Sequence, residues 1–366
     1  MTWNTKCRFF NENYVCDTLT SEGYKGCDEC KFASPYNKKI LIIKLGALGD
    51  VLRTTPILTA IKEKYPESLI YWLIEDKYGE GRELLENNSC IDKILILNQE
   101  SILRLQQEKF DLLFSLEITT PGTLIANLVK ANEKYGYYFQ DGATSYFNEP
   151  ALEYLETAFL THIKLKNRKT YQELIFQACG LPYNKQEIVY ELKEEYKRYA
   201  ENFRKFNNLT NEKILGINFG SGNRWPSKAP SREKLKELIR KLDDKYKVLL
   251  LGGQDEENKL KEISDEFKKE GINFLTNNPK NSVGEFASLL SICDKIITTD
   301  SFALHLAIAL KKPTIALFFS TPAWEVEDYN LAKKITSPLM EKYLFSNVYS
   351  EELANSISVE EILKAL

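Results

Sequence analysis

Twice along this chain, short aliphatic runs alternate with amphipathic stretches of helical period, a rhythm that calls for parallel sheet with helices on both faces. The first series opens with Lys39–Leu45 (KILIIKL), a buried-strand run followed by a glycine-containing loop and the amphipathic stretch Asp50–Tyr65. Strands follow at Ser68–Ile74, Ile91–Leu97 and Asp111–Leu116. Residues 150–210 then turn helical, polar and Lys/Glu-rich, as a connector would, and the charge run Glu191–Lys205 reads as a solvated helix face. The alternation restarts at Lys213. Its strands are expected at Ile214–Phe219, Lys247–Leu251, Ile272–Leu275, Lys295–Thr299 and Thr314–Phe319, with helices at Arg232–Leu242, Glu256–Lys269, Val283–Ile292 and Phe302–Leu310. The 366 residues suffice for two domains, each with its own core. The expected class is therefore α/β, two Rossmann-like domains facing a cleft. Residues 38–205 would form the first with its helical connector, residues 206–366 the second, and residues 1–37 a separate cysteine-rich segment.

Charge narrows the partners. The 49 basic and 52 acidic residues leave a formal net charge of −3, against a chain whose main partner is a nucleic-acid backbone. No apolar run approaches the roughly 18 residues of a membrane span, and Ala303–Phe319 is interrupted by Lys311, Lys312 and Pro313. The opening MTWNTKCRFF lacks the apolar stretch of a secretory signal, so the expected location is the cytoplasm.

Cys7, Cys16, Cys27 and Cys30 crowd into the first thirty residues with spacing C-x8-C-x10-C-x2-C. In a cytoplasmic setting such a group reads as metal ligands before disulfides, and four thiolates suit tetrahedral zinc or iron. Redox or disulfide chemistry is the second reading. Cys90, Cys179 and Cys293 are scattered and read as core residues.

The ends of the strands carry the candidate chemistry. Gly46-Ala47-Leu48-Gly49-Asp50 ends the first strand with spacing G-x-x-G-D, which is not the dinucleotide fingerprint G-x-G-x-x-G. Asp50 at a helix head reads equally as an N-cap or as a carboxylate that accepts a proton in the cleft. In the second half, Gly220 and Ser221 end a strand, and Lys228 follows in a loop where it is either solvated or holds a phosphate. Glu256 follows Gly252-Gly253 and reads as a helix cap or a ribose ligand. In Thr298-Thr299-Asp300-Ser301-Phe302-Ala303-Leu304-His305 a strand runs directly into a helix whose first amides would face an anion, with His305 one turn inside.

These motifs resemble those of family-9 glycosyltransferases, the bacterial heptosyltransferases that use ADP-heptose in lipopolysaccharide core assembly. KILIIKLGALGDVLRTTPILTAIKEKYP is similar to the family's opening, and TTDSFALHLAIALKKPTIALFFSTP to its D-[ST]-G-x-x-H-L-x-x-A signature. GSGNRWPSKAPSREKL and LLLGGQDEENKLKEI lie between them in the expected order, so the resemblance covers roughly residues 39–325. It implies the GT-B architecture and an inverting transfer of heptose from ADP-heptose without a catalytic metal. It implies Asp50 as catalytic base, Lys228 on the diphosphate, Glu256 on the adenosine ribose and Asn281 beside the adenine. Asp300, Ser301 and His305 fall around the phosphates and sugar. Phe302 stands where the family has glycine, which bears on the sugar pocket.

The expected reaction follows. Asp50 takes the proton of an acceptor hydroxyl as it attacks the anomeric carbon, and Lys228 with the Ser301 amides stabilises the departing diphosphate. The acceptor would be a glycan, a lipid-linked sugar or a protein side chain, reached in the cytoplasm or at the inner face of its membrane through peripheral contact. Three rivals remain: a dehydrogenase, a sugar-nucleotide epimerase of the same architecture, and a nucleotide-sugar binding or scaffolding protein without turnover. Tyr135, Tyr137, Tyr138 and Phe139 offer stacking surfaces for sugar, but strand packing accounts for them more simply.

Overall fold

A computed structural model describes residues 3–220, 227–242 and 245–366. Among them lie two six-stranded sheets. The first is built from β1 (Lys38–Ile43), β2 (Ser68–Ile74), β3 (Lys93–Ile96), β4 (Lys109–Ser115), β5 (Lys130–Gln140) and β6 (Ala143–Tyr146). Its order is β3-β2-β1-β4-β5-β6, parallel except for the antiparallel β5–β6 pair. The second comprises β7 (Ile214–Asn218), β8 (Lys247–Leu251), β9 (Leu275–Thr276), β10 (Lys295–Thr299), β11 (Thr314–Phe318) and β12 (Ala332–Thr336). It runs β12-β11-β10-β7-β8-β9, parallel throughout.

Both sheets thus share one doubly wound order, in which the chain reverses direction beside the first strand of each sheet. A crevice opens where the two flanking connections leave on opposite faces. In the first sheet it lies between β1 and β4, in the second between β7 and β10. The central strands read as continuous apolar runs because both their faces are covered: Ile40, Leu41, Ile42 and Ile43 of β1 are fully buried, as is all of β7.

The expected helix Asp50–Tyr65 is two helices, Leu48–Thr54 and Pro56–Lys64. Pro56 has no amide hydrogen to continue the first, and it occupies the first turn of the second, where none is needed. The strands β5, β6 and β12 were not foreseen. Tyr137 of β5 is fully buried and Tyr138 stacks on Phe147, their ring centroids 4.6 Å apart, so these aromatics serve packing. Helix Glu194–Phe206 buries only Ala200, yet one edge of it is used: Tyr196 lies directly against Gly284 of helix Val283–Ser291. Cys179 and Cys293 are buried and Cys90 half-buried. No helix among the described residues is long and apolar enough to cross a membrane.

Candidate active site

The two switch-point crevices face each other across a cleft of about 760 Å³. From the first sheet comes the loop after β1, with Gly49 and Asp50 opening helix Leu48–Thr54. From the second come Gly220 after β7 and Asp300, Ser301, Phe302 and His305 after β10. Helices Leu48–Thr54 and Phe302–Ala309 pack against each other, which brings the two halves together at the chemistry. Glycine keeps this contact close: a Cβ on Gly49 would stand 3.1 Å from Cδ2 of His305, so the ring would have to give way by a few tenths of an ångström.

Asp50 makes no N-cap; Ala47 occupies that position, and Asp50 sits in the first turn. Its carboxylate is 37% exposed, opens into the cleft, and lies 2.8 Å from the Arg53 guanidinium. Burial would raise this carboxyl, but Arg53, Lys44 and His305 together hold it below the usual range. Arg53 in turn lies over the ring of Tyr171 at 3.8 Å. Beneath the loop, buried Lys44 pairs with buried Glu117 at 3.2 Å, and Glu117 accepts hydrogen bonds from the amides of Leu45, Ile118 and Thr119.

On the opposite wall Lys228 pairs with Asp300 at 2.9 Å. Burial works against the Asp300 charge, but Lys228 and His305 pull its carboxyl well below the usual value. Ser301 is the N-cap residue of helix Phe302–Ala309, yet its hydroxyl turns to Asn218 Oδ1 at 3.2 Å instead of capping the helix. The first amides of that helix are left without a side-chain cap. His305 is 4% exposed, and its Nδ1 is buried with no hydrogen-bond partner among the described residues. Burial, reinforced by Arg53, pushes its pKa down to about 4, so the ring is neutral near pH 7.

Further along the same wall, Glu256 lines the cleft while accepting a hydrogen bond from the Gly253 amide at 3.0 Å, the helix-capping contact. A Cβ on Gly220 would come within 2.5 Å of the Glu256 side chain and would displace its carboxylate from this position. Asn281 donates to Tyr199 Oη at 2.7 Å and to Glu285 at 3.0 Å, and also lines the cleft. Gly46 stands back from the cleft lining, and a Cβ there would meet Glu75 only at 3.9 Å. Ser221 lies outside the described residues.

Several groups escaped the sequence reading. Arg53 was legible only as the partner three residues after Asp50, a spacing that places two side chains on one helix face. Lys164 and Glu325, paired at 3.0 Å, line the cleft from segments with no motif. Glu83 reaches from helix Glu80–Leu85 to the start of helix Val283–Ser291, accepting from Ser282 Oγ at 2.6 Å and from the amides of Val283 and Gly284 at 2.9 and 3.0 Å. It caps a helix of the other half, holding the two halves together.

The cysteines lie elsewhere. Arg8 donates to the carbonyl of Ser68 at the start of β2, and Asn37 to that of Glu67. The cysteine segment therefore sits at the amino ends of the strands, on the edge of the first sheet away from the cleft.

Comparison with known proteins gives this geometry a family. The family model of glycosyltransferase family 9 (heptosyltransferase) matches residues 101–348, a stretch that begins beyond both Asp50 and the four amino-terminal cysteines. The chain is 26% identical over 310 residues to lipopolysaccharide heptosyltransferase 1 of Campylobacter coli, covering 78% of this chain and 85% of that one. It is 23% identical to a lipooligosaccharide heptosyltransferase 2 of Campylobacter jejuni, covering 75% and 79%. Among solved structures, a family-9 glycosyltransferase from Veillonella parvula superposes with a TM-score of 0.69 at 20% identity, over 90% of this chain and 96% of that one. ADP-heptose heptosyltransferase II of Escherichia coli does so with 0.64 at 17% identity, over 89% and 97%. This chain belongs to glycosyltransferase family 9, the heptosyltransferase family, and has its GT-B fold.

Proposed function

We propose that the protein transfers heptose from ADP-heptose to a hydroxyl of a lipid-linked, lipopolysaccharide-type glycan, with inversion at the anomeric carbon and without a catalytic metal. One observation carries this reading: two switch-point crevices face each other, with a carboxylate on one wall and a lysine beside an uncapped helix start on the other. The names of the relatives supply the donor and the type of acceptor.

Asp50 acts as general base. Its neighbours keep it ionised, and it takes the hydroxyl proton as the acceptor oxygen bonds to the anomeric carbon. The bond from that carbon to the phosphate oxygen breaks on the opposite face, and ADP leaves with the electron pair. Lys228, oriented by Asp300, and the first amides of helix Phe302–Ala309 supply the positive potential that receives the diphosphate. His305, neutral and almost wholly buried, lines this wall without adding charge. Glu256 holds the ribose, and Asn281 lies beside the base. The expected place of action is the cytoplasmic face of the membrane that carries such acceptors.

Incubation with ADP-heptose and a lipopolysaccharide core acceptor tests the reading, with chelator present throughout. Equimolar ADP and heptosylated product are expected, and NMR should show the new anomeric bond with configuration opposite to the donor's. Tight ADP binding with no release of ADP from the donor would instead make this a binding protein.

A further inference from the structure

Residues 3–39 contain a helix (Asp17–Glu22) and a short turn of helix (Cys27–Glu29), yet no residue among them is buried; Ile40 is the first. Phe9, Tyr14, Val15 and Phe32 of this segment are half or more exposed. Ordering a residue costs roughly 1–2 kcal/mol of backbone entropy, and a segment whose apolar side chains are at most half-buried, Tyr36 against the sheet among them, has little burial to offset it. Surface ion pairs to the sheet edge, such as Glu12 with Lys93 at 2.6 Å, contribute little each. Something else must cross-link the segment.

The candidate cross-link is in its centre. Cys7, Cys16, Cys27 and Cys30, drawn from three separate places in the segment, line a single cavity of about 20 Å³ with Phe9, Phe10 and other small or apolar neighbours. That is room for one water-sized body, since a water needs at least about 10–15 Å³ of such space. Its walls, however, offer sulfur rather than the oxygen and nitrogen partners that would hold a water. The backbone gathers the sulfurs. Cys27 to Cys30 closes a tight turn through the Cys30 amide to the Cys27 carbonyl at 3.2 Å, and the Ser34 amide donates to Cys7 Sγ at 3.4 Å. The strand-like pairing of Cys7 with Pro35 brings the two ends of the segment together around the cavity. As the side chains stand, no group of three or more His, Cys, Asp or Glu among the described residues is drawn tightly enough to hold an ion. Ligation requires the four thiols to turn into the cavity they line.

We propose that Cys7, Cys16, Cys27 and Cys30 bind one metal ion as a tetrahedral tetrathiolate, and that this ion orders residues 3–39 against the sheet edge remote from the cleft. Zinc and ferrous iron share the required chemistry, each taking four soft ligands at about 2.3 Å in the zinc case. Each thiol gives its proton to solvent on ligation, and four thiolates on a divalent ion leave a net charge of −2. The inference is independent of the reaction proposed above, because the segment and the cleft lie at opposite ends of the strands.

The test uses the full chain, expressed in medium supplied with zinc and iron and purified without chelator. Elemental analysis is expected to give about one metal per chain: zinc if the protein is colourless, iron if it shows visible thiolate-to-iron absorption. In the native protein the four cysteines should resist alkylation, and they should become reactive in step with metal release by a mercurial reagent. Cys27→Ser with Cys30→Ser should abolish metal content and speed proteolysis within residues 3–39, while Cys90→Ser leaves both unchanged. Calorimetry should show ADP affinity within about twofold of wild type in the double variant. Wild-type protein with substoichiometric metal and four readily alkylated thiols would overturn the proposal, as would disulfides among these cysteines detected by mass spectrometry. Because the wild-type metal content decides alone, the proposal stays testable even if the double variant does not fold.

Discussion

The Asp50 carboxylate lies 2.8 Å from the Arg53 guanidinium, one turn further along the same short helix, and Arg53 is itself clamped over the ring of Tyr171. The proposed base is thus held in one place, and in its ionised form, by a neighbour that need not touch substrate. Replacing Asp50 by Asn keeps the shape and removes the base. Turnover should fall by about 100- to 10,000-fold with ADP affinity retained. A folded Asp50→Asn enzyme with ordinary kcat would remove this residue from the mechanism.

Arg53→Met keeps much of the packing on Tyr171 and removes the charge. The Asp50 carboxyl should then rise toward its ordinary value, since Arg53 is the largest influence holding it down against burial. A base works only when deprotonated, so the acid limb of the kcat/KM–pH profile should move to higher pH. Arg53→Lys should restore most of the wild-type profile. An unmoved acid limb in Arg53→Met would show that another group sets it.

Lys228→Ala is expected to weaken ADP binding by roughly tenfold or more while leaving adenosine nearly unaffected, because a lysine on the diphosphate acts as a point charge. It also strands the Asp300 carboxylate, its partner at 2.9 Å. Lys228→Ala with Asp300→Asn should therefore recover stability without recovering ADP affinity. Equal losses for ADP and adenosine by calorimetry would place Lys228 away from the phosphates.

Phe302 occupies the first position of the helix that faces the donor, lines the cleft, and packs in part on the core. Phe302→Gly should change the relative rates among ADP-sugars, since a ring of this size sets the room beside the phosphates. A competition assay with two ADP-sugars reads the effect directly. If the donor preference is unchanged, the ring serves the core alone.

His305 makes stability depend on pH. Its folded-state pKa is about 4 against an ordinary 6.5, so between these values the unfolded chain binds a proton that the folded chain refuses. Stability is greatest above pH 6.5 and falls on acidification, by roughly 3 kcal/mol at pH 4. Asp300, held low by Lys228 against burial, adds to the loss only below its ordinary value of 3.8. Urea titrations at pH 7 and 4.5 should show the drop, and His305→Gln should flatten it. A variant with undiminished pH dependence would assign the effect to other groups.

Much of this architecture is determined by the sequence itself. A strand buried on both faces is apolar at most positions, so β1, β2, β7, β8, β10 and β11 stand out as nearly continuous runs, and their helices by period. The order of the runs sets the doubly wound topology, and that topology places Asp50, Gly220 and Asp300 at the mouths of two crevices. The strands that escaped are outer ones. In β5 (KANEKYGYYFQ) and β12 (AKKIT), one side meets solvent or only a short neighbour, and charged residues break the pattern. Other features are matters of distance between segments that no local pattern links. Examples are Arg53 over Tyr171, Lys164 beside Glu325, and Glu83 capping a helix two hundred residues away. Spacing could gather Cys7, Cys16, Cys27 and Cys30 into one short segment, but only the folded chain puts all four around one cavity. It also sets that cavity at the amino ends of the strands, with the cleft at their carboxyl ends. The reason is physical: a repeating pattern is a property of neighbours along the chain, whereas a pocket is formed by whichever surfaces packing forces together.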